Sequence, residues 1–279
     1  MAEDNNPQGN EGGEGQQTEP QKEVVSYAKY KRETDEYQEQ VKALKAELEQ
    51  LEITAGLTDV EGPGVTIILE DSSQANVTGN EADYLIHDND LLSVINELRS
   101  AGAEAISCLT EPKWFLGSDQ IFREIRQAVA TPMLRKDFTV DPYQLYQARL
   151  MGADCVLLLC ALLDTRTLAD YLSLCDDLGL AALVEAHDEK EVASAVAAGA
   201  RIIGGNNRNL GDFSVNLDNA ARLRDRVPPG VLYVAESGVH RPADVAAVRA
   251  MGADGVLIGE ALMRAKDKSA MLNQFRRSV

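Results

Sequence analysis

Six clusters of polar residues stand directly after short apolar runs, and their side chains suit proton transfer on an anionic substrate. They are Thr110-Glu111 with Lys113, Trp114 and Phe115; Arg135-Lys136-Asp137-Phe138; Glu185; Asn206-Asn207-Arg208; Glu236-Ser237-Gly238; and Gly259-Glu260. Taken singly, a charged residue after a strand is usually a solvated loop or a helix cap. Gathered at one mouth, the clusters would supply an ammonium, two carboxylates, an amide and a guanidinium. Small glycine-containing turns there would expose backbone N–H groups, the usual cradle for a phosphate. Trp114, Phe115 and Phe138 add aromatic surface for a flat apolar ring. The set reads as a site for a phosphorylated small molecule with an aromatic part, worked by acid–base chemistry.

Elements able to gather these clusters are visible in the apolar pattern. Strand-like runs occur at 65–69, 105–109, 132–134, 155–159, 181–184, 201–204, 231–235 and 255–258. Helical periodicity fills 90–100, 121–128, 143–151, 165–178, 189–198, 217–226, 242–251 and 261–277. Gly102-Ala103, Gly152-Ala153, Gly199-Ala200 and Gly252-Ala253 each sit between a helix end and an even-numbered strand, at intervals of 50, 47 and 53 residues. The glycine suits a left-handed helix cap, and the alanine permits tight entry into the strand. Such alternation predicts an α/β fold with an all-parallel sheet, closed as a (βα)₈ TIM barrel rather than an open doubly wound sheet. No G-x-G-x-x-G follows the first strand, which weakens a dinucleotide-binding alternative.

The formal charge of −18, from 45 acidic and 27 basic residues, argues against nucleic acid or an anionic membrane as partner. The longest apolar run, residues 155–163, is too short to cross a bilayer, and no hydrophobic leader opens the chain. The four cysteines lack C-x-x-C spacing and the three histidines lie far apart, so reduced thiols, no metal and a cytoplasmic setting are expected. Residues 1–23 carry four glycines and six acidic side chains and read as a disordered tail. In 24–55, Tyr30, Tyr37, Val41, Leu44, Leu48 and Leu51 form a heptad seam. That helix either lies on its own domain or pairs two copies into a homodimer. The barrel is expected over 56–279.

From about Gly102 onward the chain resembles indole-3-glycerol phosphate synthase, through the segments LTEPKWFLGSDQ, LRKDFTVDPYQ, ALVEAHDEKE, NNRNL, AESGV and LIGEALM. That family closes the pyrrole ring of 1-(2-carboxyphenylamino)-1-deoxyribulose 5-phosphate with loss of CO₂ and water. The resemblance implies that Lys136 is the general acid at the ribulose carbonyl and that Glu185 serves proton transfer in the dehydration. It implies that Asn206 and Arg208 orient substrate, Arg208 opposite an anionic group, and that Glu236 and Ser237 line the mouth. Glu111 and Leu210 match substrate-binding positions, and Phe115 and Phe138 match the walls around the anthranilate ring. Gly238, Gly259 and Glu260 match the phosphate turns. No cofactor is implied, since ring closure supplies the electron sink for decarboxylation.

The first strand departs from the family pattern. A stretch like E-x-K-x-x-S-P-S, with a lysine and a glutamate reaching the site, is replaced by GVTIILEDSS. No lysine occurs between Lys45 and Lys113, while Glu70 and Asp71 stand where a cation is expected. Residues from about Tyr27 to Ser107, including GLTDVEGPGVTIILEDS and DYLIHDNDLLSVINELR, resemble instead a bacterial family of membrane-anchored coiled-coil proteins, here without the anchor. The changeover falls within 101–108, so a foreign first βα unit, 56–104, is expected ahead of a synthase-like part, 105–279. Lowered activity is the implied consequence, and an inactive barrel acting through its helix is the alternative.

Overall fold

Alternation of apolar runs with helical segments folds as its periodicity dictates. The computed structural model describes residues 42–43, 66–70, 88–113, 115–208 and 218–278. The chain forms two compact units, Met1–Lys42 and Ala43–Val279. In the first, Lys42 alone is among the described residues, and it is exposed. The expected tail and the heptad seam from Tyr30 to Leu51 lie outside the described residues, as do Asp71, Trp114 and Leu210.

Among the described residues, eight strands form the sheet: β1 (Thr66–Glu70), β2 (Ala105–Leu109), β3 (Met133–Lys136), β4 (Cys155–Leu159), β5 (Ala181–Ala186), β6 (Ile202–Asn206), β7 (Leu232–Glu236) and β8 (Gly255–Ile258). They pair in sequence order as a closed parallel barrel. Closure is explicit, because Ile68 pairs with Ala105 of β2 and with Leu257 of β8. The helices are α1 (Asp88–Ser100), α2 (Asp119–Ala128), α3 (Tyr143–Leu150), α4 (Thr165–Leu178), α5 (Glu189–Ala198), α6 (Asp218–Arg224), α7 (Pro242–Ala250), α8 (Glu260–Arg264) and α9 (Lys268–Arg276).

One expectation needs correction. The single helix foreseen over 261–277 is broken into α8 and α9, because Ala265 is extended and Asp267 starts a new helix by accepting the Ala270 N–H at 2.7 Å. The second helix closes the outer ring: Arg276 pairs with Glu104 at 3.3 Å, and the Ser269 N–H donates to Glu97 Oε1 at 3.1 Å.

The Gly-Ala junctions behave as expected. Gly102, Gly152, Gly199 and Gly252 have φ between 86° and 100°, and the alanine after each is buried. Two junctions continue into aspartate, and both aspartates serve the neighbouring strand. Asp154 Oδ2 accepts the Met133 N–H and Asp254 Oδ2 accepts the Tyr233 N–H, each at 2.8 Å. These bonds pin the bottom of the sheet, the end that reads as stability in this fold.

Inside the barrel, Leu134, Cys155, Leu157, Leu159, Leu183, Val234 and Leu257 form one core. Neighbours two apart on a strand share a face. The inward columns therefore run from Leu134 to Lys136, from Leu183 to Glu185 and from Val234 to Glu236. Apolar side chains fill the lower layers, and the polar residue tops each column at the C-terminal mouth. Burial pushes the thiols of Cys155, Cys160 and Cys175 up to about 12, so all three stay neutral packing groups. Among the described residues no helix is long and apolar enough to cross a membrane.

Candidate active site

Three column tops meet. Lys136 Nζ lies 3.4 Å from Glu185 Oε2 and 3.7 Å from Glu236 Oε2, with all three side chains buried. Pairing in the sheet sets this geometry, since Leu159 faces Glu185 across β4–β5 and Asn206 faces Glu236 across β6–β7. Asn206 Nδ2 donates to Glu185 Oε1 at 2.8 Å, and the Arg208 backbone N–H donates to Asn206 Oδ1 at 2.9 Å. That second bond fixes which way the amide points. Space for Glu236 comes from Gly204, where an added Cβ would meet Glu236 Oε1 at 1.9 Å.

Burial alone would raise the Glu185 carboxyl. The Lys136 ammonium, the His187 ring and the Asn206 amide override it and hold the group well below the usual carboxylate range. An ionised base therefore sits against a buried amine, so one group can donate a proton while its neighbour accepts one.

The other expected residues fall into three positions around this centre. Phe115 and Phe138 pack as a tilted pair with ring centroids 4.7 Å apart and planes at 42°, and Phe138 also covers the barrel core. Glu111 accepts the backbone N–H groups of Lys113 and Phe115, each at 3.0 Å, so it shapes the loop that presents Phe115. Ser237 and Gly238 have φ of 63° and 83°, a consecutive left-handed pair after β7, and Asn207 Nδ2 holds the turn through the Ser237 carbonyl at 3.0 Å. Gly259 caps α8 with φ of −114°, a conformation that does not require glycine. The Glu260 carboxylate pairs with Arg264 at 2.9 Å and stands 3.9 Å from the Arg208 guanidinium. Only the Glu260 backbone N–H is therefore suited to a phosphate.

Sequence reasoning passed over two residues. His187 lies beside Glu185, and its position two residues later on the same strand path was an available signal. Asn219 Nδ2 donates to the carbonyls of Asn206 and His187 at 3.0 and 3.4 Å, a link from α6 to two other elements that no local pattern announces. A support lies behind Lys136. Arg135 points the other way on β3, pairs with Asp137 at 3.0 Å and donates to Thr110 Oγ1 at 3.2 Å, while Thr110 donates to Asp137 at 2.8 Å. This buried network anchors the end of β3.

A family model described as indole-3-glycerol phosphate synthase matches residues 19–275. The chain belongs to the indole-3-glycerol phosphate synthase family. A synthase of that name from Ruminiclostridium cellulolyticum is 54% identical over 188 residues, covering 67% of this chain and 72% of the relative. Another from Lachnoclostridium phytofermentans is 44% identical over 214 residues, covering 77% and 78%. The barrel of 3-hexulose-6-phosphate synthase from Salmonella typhimurium superposes with a TM-score of 0.62 at 14% identity, over 77% of this chain and 98% of that one. It speaks for the fold alone. The synthase-family match starts at residue 19, so it runs across 27–107, the stretch whose motifs pointed to a different origin.

Proposed function

We propose that the chain closes the indole ring of 1-(2-carboxyphenylamino)-1-deoxyribulose 5-phosphate, releasing CO₂ and water. One observation carries the reading: a buried lysine held within 4 Å of two carboxylates at the mouth of a barrel of this family. Lys136 donates a proton to the ribulose carbonyl as the ring carbon attacks it. CO₂ leaves as the ring electrons are restored, and Glu185 handles the proton transfer that expels water. Phe115 and Phe138 offer a wall for the anthranilate ring, and the Ser237–Gly238 turn and the start of α8 offer N–H groups to the phosphate. A steady-state assay with the ribulotide tests this directly. Indole-3-glycerol phosphate appearing with one CO₂ per turnover supports the reading, and its absence defeats it.

Activity is expected to be weak because β1 brings no lysine. The register sets Glu70 opposite Ser107 and one residue beyond the Leu69–Ile258 pair, beside the β8 end. A carboxylate near a phosphate costs about 1–4 kcal/mol at effective dielectrics of 80–20. Replacing it by Glu70→Lys should lower KM by about tenfold, equivalent to about 1.4 kcal/mol. An unchanged KM would remove Glu70 from the phosphate's surroundings.

The missing lysine also keeps a second reading in play, an inactive barrel that works through its N-terminal helix. If the seam from Tyr37 to Leu51 joins two copies, Leu44→Glu with Leu48→Glu should convert a dimer to a monomer in analytical ultracentrifugation. A monomeric unmodified chain, or an unchanged mass, would assign the seam an intramolecular role. A cytoplasmic setting suits a family of biosynthetic enzymes and cysteines buried as neutral thiols.

A further inference from the structure

The chemistry of β5 continues past Glu185. His187 Nε2 stands 3.2 Å from Glu185 Oε1, and its Nδ1 stands 3.2 Å from Glu191 Oε2. Glu191 is itself fixed, because the same Oε2 accepts the His187 backbone N–H at 2.7 Å and the residue lies in the first turn of α5. Asn219 of α6 holds the His187 carbonyl from the other side. The Nε2 atom is buried and makes no aligned hydrogen bond, although Glu185 Oε1 stands 3.2 Å away. The ionisable groups touching this ring are Glu185 near the end of β5 and Glu191 in the first turn of α5, while the carboxylate of Asp188, the next residue, caps α5 by accepting the Lys190 and Glu191 N–H groups. Cys160 after β4 lies next to Glu191, its Sγ 3.5 Å from the Glu191 carbonyl, and Lys136 pairs with both Glu185 and Glu236. In this group Lys136 supplies the other positive charge.

We propose that His187 is a positioning residue for the synthase reaction: clamped between Glu185 and Glu191, its imidazolium holds the Glu185 carboxylate in line with Lys136 and Asn206. The proposal rests on the ring-closing function argued above. Contact with the Glu185 carboxylate raises His187 above its ordinary 6.5, against the pull of burial. A raised folded-state value means that the clamp stabilises the fold fully below 6.5 and is lost as pH rises through the folded value. Alignment of Glu185 is lost over the same window.

Two readouts on the full chain test this. In ¹H–¹⁵N NMR, the ring resonance that His187→Asn removes should titrate above 6.5 in the unmodified protein, and Glu191→Gln should move it down. In the ribulotide assay, His187→Asn should lower kcat by roughly tenfold with KM within about twofold, the pattern of a group acting in the transition state. The alkaline decline of kcat in the unmodified enzyme should vanish in that variant. A ring titrating at or below 6.5, or a kcat and pH profile unchanged by His187→Asn, overturns the proposal. If no form turns over ribulotide, the ring-closing function falls, and the ring titration still decides whether the clamp exists.

Discussion

Lys136→Ala is expected to lower kcat by about 10²–10⁴, the usual worth of a positioned general acid. Glu185 and Glu236 are acceptors beside the amine, and the strand that normally brings a second lysine carries GVTIILEDSS instead. The same change leaves two buried carboxylates without their shared cation, so one of them must take up a proton to stay buried. Loss of rate should therefore be accompanied by a thermal stability that rises on mild acidification, opposite to the usual carboxylate trend. Lys136→Met, which retains the stem, separates the two effects: it should be as inactive as the alanine variant and pack better. Activity within about threefold of the unmodified chain would exclude Lys136 as the acid.

Two adjacent glycines in β6 should give opposite phenotypes. At Gly205 an added Cβ would lie 1.8 Å from the hydroxyl of Tyr233 and 2.5 Å from its ring, with that side chain fully buried and donating to the Ala220 carbonyl at 3.1 Å. A rigid ring has nowhere to go. Gly205→Ala should cost about 1–3 kcal/mol of stability, or about 2–4 °C in Tm per kcal/mol for a domain of this size, with kcat nearly intact. At Gly204 the obstructing atom is the carboxylate of Glu236, at the end of a flexible side chain. Gly204→Ala should therefore unfold close to the unmodified temperature while losing at least tenfold in kcat, because Glu236 is pushed from Lys136. Equal stability losses for the two variants would mean that the two faces of β6 are wrongly assigned.

Much of the frame was legible because each element carries its own local signal. Strands β2, β4 and β8 and helices α4 and α5 occupy the expected residues, since apolar runs bounded by Gly-Ala junctions leave few alternatives. The break between α8 and α9 was missed because Ala265-Lys266-Asp267 contains neither glycine nor proline. Asp267 reads equally well as a helix interior or a cap. Within the site, Lys136, Glu185 and Glu236 were legible because alternation along a strand gives each column a top. Arg208 was expected opposite an anionic group, and the carboxylate it faces here is Glu260 of its own chain. Asn219 was illegible for a different reason: its contacts run from α6 to the end of β6 and to the residue after β5, and no local period links positions 13 and 32 residues apart.

Ring closure has a consequence for how the chain is made. Leu69 of β1 pairs with Ile258 of β8, and the helix that seals the outer ring ends at Arg276. A ribosome adds about 5–20 residues per second, so β1 waits roughly 10–40 s for the strand that completes it. During that interval the growing sheet has two open edges, each a row of unpaired backbone groups able to accept a strand from a neighbouring polypeptide. Slower elongation between residues 70 and 258 should therefore raise the insoluble fraction of newly made protein without altering any contact in the finished barrel.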